Sequence, residues 1–257
     1  MQNPLFTALL SEKISLIEDS CHYLLMNKVY WQVPQTPARD ISVVKAQEMP
    51  VKKGLSSKEG QGQTLHEIAN IELQAIDLGL RTLIEFPHAD PCFRKQLVDI
   101  VLEETFHLKI CLEGLEQLNY SWGDWPIHTS LWDSTSPQDD LLNRILIVHR
   151  YLEGSGLDAS ALLLRRLSGV SNSHLVSIVK KIANDEEKHV EFGSVWFHKL
   201  CQNGHKDSDK EFSFRLHQLK HRLPKKLGAI NVSLRSKTGF TKSEINNLCQ
   251  LRSDWLS

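Results

Sequence analysis

Two segments of the sequence share the pattern Glu-x-x-His, which can present two metal ligands on one helix face. The pairs are Glu104 with His107, in EETFH, and Glu186 with His189, in DEEKH. Residues three apart on an α-helix are neighbours on its surface, so each pair could offer a carboxylate and an imidazole to one ion. Either pair alone is weak support for a site, because a solvated helix face often carries the same residues.

Glu72 extends this pattern through its spacing from the first turn. It lies 15 residues before Pro87, where that turn begins, and Glu104 lies 13 residues after Pro91, where the turn ends. At a rise of about 1.5 Å per residue, the helix length from Glu72 to the turn nearly equals the helix length from the turn to Glu104. Glu72 and Glu104 are therefore predicted at one level of an antiparallel helical hairpin.

The second half of the sequence repeats this spacing around Glu153. Glu153 lies 15 residues before Ser168, and Glu186 lies 13 residues after Ser173. Two such hairpins, joined by a long connection, would bring four carboxylates and two imidazoles into one layer. Bundles that take one Glu from each of two helices and Glu-x-x-His from each of two others bind pairs of iron or manganese ions. We therefore predict a two-metal site formed by Glu72, Glu104, His107, Glu153, Glu186 and His189.

Two neighbouring divalent ions require these ligand types. Four carboxylates offset the charge of the ions, and one imidazole on each metal leaves positions open for water or dioxygen. Glu103 and Asp185, which precede the two Glu-x-x-His pairs, are candidates to accept a hydrogen bond from a ligand histidine. We pair Asp185 with His107 and Glu103 with His189, with exposure to solvent as the alternative for both acids.

Gly154 and Gly156 follow Glu153 in the third helical segment of the predicted bundle. Glycine inside a helix costs about 0.5–1 kcal/mol relative to alanine. The two glycines therefore indicate either a local widening, such as a π-bulge that admits dioxygen or substrate, or close packing between helices. His66 lies six residues before Glu72, away from the ligand face, and is expected to be a capping or surface residue.

Helical periodicity runs through most of the chain, and no convincing set of strands appears. A stretch rich in proline and glycine over 31–62 is expected to lie extended on the surface, and 119–139 is a long aromatic connection. The predicted class is all-α: a ferritin-like antiparallel four-helix bundle over 63–204, an N-terminal helix and extended segment over 1–62, and a C-terminal helical and loop extension over 205–257 packed on the bundle. The predicted helices cover 5–29, 63–86, 92–118, 138–168, 172–203 and 207–222, then a loop-like KLGAINVSLRSKTGF stretch and a short helix capped by Thr241.

Composition excludes several classes of protein. The net charge of −1 over 257 residues indicates no polyanionic or membrane partner, and no run approaches the ~18 apolar residues of a membrane span. The five scattered cysteines form no Cys-x-x-Cys pair, so we interpret them as plain thiols in a reducing compartment. Without a signal-peptide pattern, the protein is expected to be cytoplasmic.

We interpret a local basic stretch as a solvated face in preference to a phosphate-binding surface; it comprises His217, Lys220, His221, Arg222, Lys225, Lys226, Arg235 and Lys237.

The residues above resemble the ferritin-like family known as domain of unknown function 455. The matching stretches, over roughly residues 30–250, are HEIANIELQAIDL, EETFHL, YSWGDWPIHTSLWD, HRYLEGSGLDAS, DEEKHVEFGSVWFHKLC and LGAINVSLRSKTGF. The resemblance implies a ferritin-like bundle with the six ligands already named. The family often has histidine where this chain has Asn70, so no auxiliary role is carried over to that position.

Several functions are compatible with this ligand set. The favoured hypothesis is a di-iron oxidoreductase, an oxidase or monooxygenase with two Fe ions, for which Mn or mixed Mn/Fe are the alternative metals. Its partners would be dioxygen and a small-molecule or modified-nucleotide substrate, the latter by analogy with a ferritin-like hydroxylase of a modified tRNA base. The alternatives are an iron-handling ferroxidase, a di-manganese catalase-like enzyme and a non-enzymatic metal-binding scaffold. We expect a monomer or small homo-oligomer, disfavour nucleic-acid binding, and assign no residue a catalytic role or a substrate.

Overall fold

The computed structural model describes residues 2–225 and 228–255, and these residues form helices without a β-strand. One parallel bridge joins Val43 to Ile127. The predicted all-α class is confirmed, and the ferritin-like four-helix bundle stays a prediction. Within the same described ranges, no helix combines the length and the hydrophobicity that crossing a bilayer would take.

The chain divides into two compact units. The first comprises Met1–Trp132 and Gly169–Ile178, and the second comprises Asp133–Ser168 and Val179–Ser257. The three parts predicted from the sequence, with boundaries at 63 and 205, stay a prediction.

The first unit contains three α-helices: α1 (Leu10–Leu25), α2 (Lys58–Glu85) and α3 (Pro91–Gln117). The predicted start of α2 was wrong, because Gly60 and Gly62 lie inside its first turns and not in a loop. A Cβ atom on Gly62 would lie 2.6 Å from the ring of Tyr120, and one on Gly60 would lie 2.7 Å from the carbonyl oxygen of Lys53. The glycines therefore permit close packing around a helix start that Ser57 caps.

The hairpin of α2 and α3 is present where the sequence predicts it. Asp90 caps α3 by accepting a hydrogen bond from the N–H of Cys92, so the second helix starts directly after a short turn. The two helices approach closely where Gly79 faces Val101, because a Cβ atom on Gly79 would overlap the valine side chain. This hairpin positions Glu72 on α2 and the first Glu-x-x-His pair on α3.

A buried cluster of charges anchors the extended segment that precedes α2. Asp77 on α2 accepts hydrogen bonds from Arg39 at 2.5 Å and from Lys13 at 3.3 Å, and all three side chains are buried. Burial lowers the pKa of Lys13, and the charge of Asp77 opposes that shift. The segment, predicted to lie on the surface, is therefore attached to the core through Arg39.

The aromatic connection that follows α3 folds back over His66. His66 is 2% exposed, and its ring stacks on Trp122 with centroids 4.8 Å apart and meets Trp125 edge-on at 5.6 Å. Its Nε2 accepts a hydrogen bond from the N–H of Gly123 at 3.1 Å. The expectation of a capping or surface histidine was wrong, because two tryptophans from the connection cover this face of α2.

The second unit is formed by short helices and by most of a long helix, α6. Its elements are α4 (Leu141–Ile145), a π-helix (Leu146–Leu152), α5 (Glu153–Leu167), α6 (Ser173–Asn203), α7 (Ser208–Leu219), α8 (Val232–Lys237) and α9 (Lys242–Asp254). Thr241 caps α9, as predicted, and it also forms a capping box with Glu244. The loop predicted before α9 was wrong in part, because α8 lies there. Asn231 caps α8, and Arg235 within it pairs with Asp158 at 2.8 Å.

A second buried ion pair attaches α9 to the π-helix. Arg150 donates hydrogen bonds to both carboxylate oxygens of Glu244, each at 2.6 Å. Three aromatic rings surround its guanidinium carbon at 4.2 to 5.0 Å; they belong to Phe197, Phe212 and Phe240. A planar guanidinium suits this position because it forms a bidentate pair and stacks against rings at the same time.

Part of the predicted basic stretch is used inside the second unit. Arg222 donates to Asp139 at 2.6 Å, Arg235 is buried, and Lys237 pairs with Glu187. Lys226 lies outside the described residues. The interpretation as a solvated face is wrong for the buried Arg235, and it stays a prediction for the rest of the stretch, as does the preference against phosphate binding.

Candidate metal centre

The first unit brings together three of the predicted ligands, Glu72 of α2 with Glu104 and His107 of α3. Nδ1 of His107 lies 3.0 Å from Oε2 of Glu104 and 3.8 Å from Oε2 of Glu72. One donor atom from each residue lies within 4.8 Å of those of the other two. The three residues are 3%, 1% and 0% exposed, respectively, and we call them the first half-site.

The donors of the first half-site fit a divalent transition-metal ion. Donor atoms that lie about 2.1 Å from one ion are roughly 3 to 4 Å from one another, depending on the angle between them. The separations of 3.0 and 3.8 Å fall in this range. Since carboxylates and imidazoles serve iron, manganese and zinc alike, the cluster could hold a metal without fixing its identity.

The charges of the first half-site favour a cation at its centre. Burial alone would lower the pKa of His107, but hydrogen bonds to Glu104 and Glu72 and the charges of both acids outweigh it and raise the pKa to about 11. Without a metal, the ring is an imidazolium between two carboxylates. A bound ion would displace that proton and supply the positive charge itself.

Cys111 lies one helical turn after His107 and is fully buried. Burial, followed by the charges of Glu72 and Glu104, raises the pKa of its thiol well above the ordinary range. The thiol is therefore neutral, which agrees with the interpretation of the cysteines as plain thiols. Because it follows His107 by four residues on the same helix, the sequence already indicates that Cys111 lies near the carboxylates.

In the second unit, Glu186 and His189 lie one turn apart on α6 and are both buried. Nδ1 of His189 is 3.7 Å from Oε1 of Glu186. The preceding Asp185 contacts Lys181 and lies 4.0 Å from Lys188, both on the same helix. The predicted pairings of Asp185 with His107 and of Glu103 with His189 stay predictions.

Glu153 begins α5 and directly follows the π-helix. Its N–H donates to the carbonyl of Val148, five residues earlier, which is the wide turn that defines a π-helix. Nδ1 of the buried His149 lies 2.8 Å from Oε2 of Glu153. His149 is not among the residues predicted from the sequence, although its spacing of four residues from Glu153 is a usable signal. On the spacing of the sequence alone, we group Glu153 with Glu186 and His189 and call these residues the second half-site.

The widening predicted near Glu153 is present as the π-helix, but the two glycines do not cause it. A Cβ atom on Gly154 would overlap the guanidinium of Arg235, so this glycine permits close packing. A Cβ atom on Gly156 would have no neighbour within 4 Å. Both interpretations therefore hold in part: the backbone widens before Glu153, and Gly154 serves packing after it.

Comparison with known proteins places the chain in a family. The family described as "Protein of unknown function (DUF455)" matches residues 5–246, and the chain belongs to it. A relative from Haemophilus influenzae, named "Uncharacterized protein", is 33% identical over 203 residues, which cover 76% of this chain and 70% of the relative. No solved structure matches the chain. The motif-based resemblance is therefore confirmed at the level of the family, whose description assigns no activity.

Proposed function

We propose that this chain binds two metal ions, with iron as the expected metal, in a ferritin-like four-helix bundle. The ions would serve an oxidase or monooxygenase that uses dioxygen and acts on a small molecule or a modified nucleotide. The observation that carries the proposal is the buried first half-site, in which one donor atom from each of three residues lies within 4.8 Å of the others. The proposed ligands are Glu72, Glu104, His107, Glu153, Glu186 and His189.

A purely structural role gives a poor account of the first half-site. Removing a carboxylate or an imidazolium from water costs several kcal/mol per charge, and apolar side chains of similar size often pack at lower cost. A metal ion would offset the charges of Glu72 and Glu104 and would remove the need for a buried proton on His107. The three residues make better physical sense as ligands than as packing residues.

We expect the second half-site to form one centre with the first because the two hairpins have nearly equal spacing in the sequence. Glu72 and Glu104 are 32 residues apart, and Glu153 and Glu186 are 33 apart. Hairpins of equal length would set four carboxylates at one height of an antiparallel bundle, as in di-iron and di-manganese carboxylate proteins. His107 and His189 would then each serve one ion.

The bound ions would supply Lewis-acid and redox chemistry toward dioxygen. The residues of the chain would set the charge, because four carboxylates balance two divalent ions in a buried centre. Among the six proposed ligands, His107 and His189 are the nitrogen donors, so positions on each ion would stay open. The π-helix before Glu153 supports this function, since such wide turns are frequent at functional sites.

Metal binding and oxygen use test the proposal directly. We expect two ions per purified chain by elemental mass spectrometry, and oxygen consumption with a fast absorbance change when an anaerobic Fe²⁺-loaded sample meets dioxygen. Glu104→Ala and Glu186→Ala should each lower the number of bound ions. Glu113→Ala, on the exposed side of α3, should bind metal as the parent does. Circular dichroism of each variant would show that it is folded.

Other outcomes would favour other functions. Parent-like metal binding in both Glu104→Ala and Glu186→Ala would show that the site is elsewhere. A large shell by light scattering would favour iron storage, and peroxide turnover by the Mn²⁺ form would favour a catalase-like enzyme. Two bound ions without oxygen or peroxide turnover would favour a metal-binding scaffold.

A further inference from the structure

His149 lies as close to Glu153 as His107 lies to Glu104. The distance from Nδ1 to Oε2 is 2.8 Å between His149 and Glu153 and 3.0 Å between His107 and Glu104. Two donors that lie about 2.1 Å from one ion at right angles are about 3 Å apart. Each pair can therefore occupy adjacent positions on a single ion.

Only one of the two ring nitrogens of His149 has a hydrogen-bond partner among the described residues. Nδ1 contacts Glu153, whereas Nε2 is buried and has no hydrogen-bond partner among the described residues. A neutral imidazole carries one N–H and one lone pair, so one of its two nitrogens lacks a protein partner in either tautomer. An ion at Nδ1 would replace the hydrogen bond to Glu153, and Nε2, which would then carry the ring proton, would stay without a partner among the described residues.

The surroundings of His149 hold its ring beside Glu153. The wide turn of the π-helix ends at Glu153, and Phe192 meets the His149 ring edge-on with centroids 4.9 Å apart. Gly193 adds to this close fit, since a Cβ atom there would lie 2.5 Å from Cβ of His149. Such a ring has little freedom to turn away from the carboxylate.

We propose that His149 is a seventh metal ligand, which binds through Nδ1 and shares one ion with Glu153. This inference rests on the proposed function, because it needs an ion at the second half-site. It makes the two ions unequal: the ion at the second half-site has imidazoles from His149 and His189, and the other ion has one from His107. The alternative is that His149 only orients Glu153 by donating its Nδ1–H to the carboxylate.

The position of the ring proton separates these two roles. Long-range ¹H–¹⁵N correlation spectra of the full chain, with ¹⁵N-labelled histidine, report the tautomer of each ring with and without Zn²⁺. We expect the His149 proton on Nδ1 in the metal-free protein and on Nε2 after Zn²⁺ is added. The signal is assigned by its loss in His149→Asn, and the exposed His174 serves as an unchanged reference.

Zn²⁺ affinity provides the second measurement. His149→Asn should weaken binding of one of two Zn²⁺ ions by about tenfold or more and leave the other unchanged. A His149 proton that stays on Nδ1 in the Zn²⁺-loaded parent overturns the inference, and so does parent-like affinity in a folded His149→Asn. If His149→Asn does not fold, triple-resonance assignment of the parent identifies the His149 ring, and its tautomer then decides alone. If the parent protein binds no Zn²⁺, both the proposed function and this inference fail. If it binds Zn²⁺ but the His149 proton stays on Nδ1, only this inference fails.

Discussion

A Cβ atom on Gly193 would lie 2.5 Å from Cβ of His149, so α6 passes the π-helix at a distance that only glycine permits. Gly193→Ala should therefore lower the free energy of unfolding by about 1–3 kcal/mol, the usual cost of overpacking a core. It should also weaken metal binding, because the added methyl group displaces the turn that carries His149. Urea unfolding and a Zn²⁺ titration measure the two effects.

Gly156→Ala is the matched control for this substitution. It replaces another helical glycine in the same unit, but a Cβ atom at position 156 meets no atom within 4 Å beyond the backbone of its own helix and its chain neighbours. Alanine should raise the free energy of unfolding by about 0.4–1 kcal/mol, because it restricts the unfolded chain. Equal effects at the two positions would contradict the close contact between Gly193 and His149.

The bidentate pair of Arg150 and Glu244 predicts a loss of stability in acid. Burial alone would raise the pKa of Glu244, but hydrogen bonds from His198 and Arg150 outweigh it and lower the pKa to about 2 from an ordinary 4.5. This lowered pKa contributes about 3 kcal/mol above pH 4.5, and the contribution is lost as the pH falls from 4.5 towards 2.

Glu244→Gln should therefore destabilise the protein by about 3–5 kcal/mol at pH 7, because Arg150 keeps a buried charge without its partner. Below pH 4.5 the difference between variant and parent should shrink. Urea unfolding at a series of pH values tests this, with the exposed Glu191→Gln as a control expected to stay within about 0.5 kcal/mol of the parent. A constant difference from pH 7 to pH 3 would argue against the assigned pair.

The histidine beneath the aromatic connection predicts a second acid transition at higher pH. Burial lowers the pKa of His66 from 6.5 to about 4. The unfolded chain therefore binds this proton more readily, and about 3 kcal/mol of stability is lost as the pH falls from 6.5 to 4. His66→Phe should be less stable at pH 7 by about 1 kcal/mol, since it loses the hydrogen bond from Gly123, but it should lack this pH dependence. Parallel pH profiles for parent and variant would refute the assignment.

The five thiols should divide into two classes of reactivity. Cys92 and Cys249 are exposed, and the other three cysteines are buried. Burial, the main cause in each case, raises the pKa of Cys21 to about 12 and that of Cys201 to about 11. It also raises the pKa of Cys111. A chromogenic disulfide reagent should label two thiols in the native protein and five in denaturant. Fast native labelling of a third thiol would mean that one buried site opens readily.

Local patterns predict the helices that have both an apolar stripe and a capping residue. Thr241 marks the start of α9, and Pro91 follows the cap of α3. They do not predict α8, because a six-residue helix depends on distant partners; Arg235 in it pairs with Asp158 of α5. Likewise, a sequence window around His66 does not contain the tryptophans that bury it.

Spacing predicts the candidate site where the backbone is regular. Two straight helices joined by a tight turn bring Glu72 to Glu104 and His107, since the rise per residue is constant in both. The same rule does not apply to His149, because a π-helix changes the angle between successive residues. Whether the six ligands and His149 meet at one centre stays a prediction that metal binding will test.

The first unit also has a consequence for synthesis. Its last segment, Gly169–Ile178, is translated only after the whole of Asp133–Ser168, which belongs to the other unit. At about 5–20 residues per second, this delay after Trp132 is on the order of seconds. Until then Gly114 of α3 lacks the side chain of Ile178, to which a Cβ atom on that glycine would lie at 2.7 Å. The hairpin that carries the first half-site therefore leaves the ribosome early but completes its packing late.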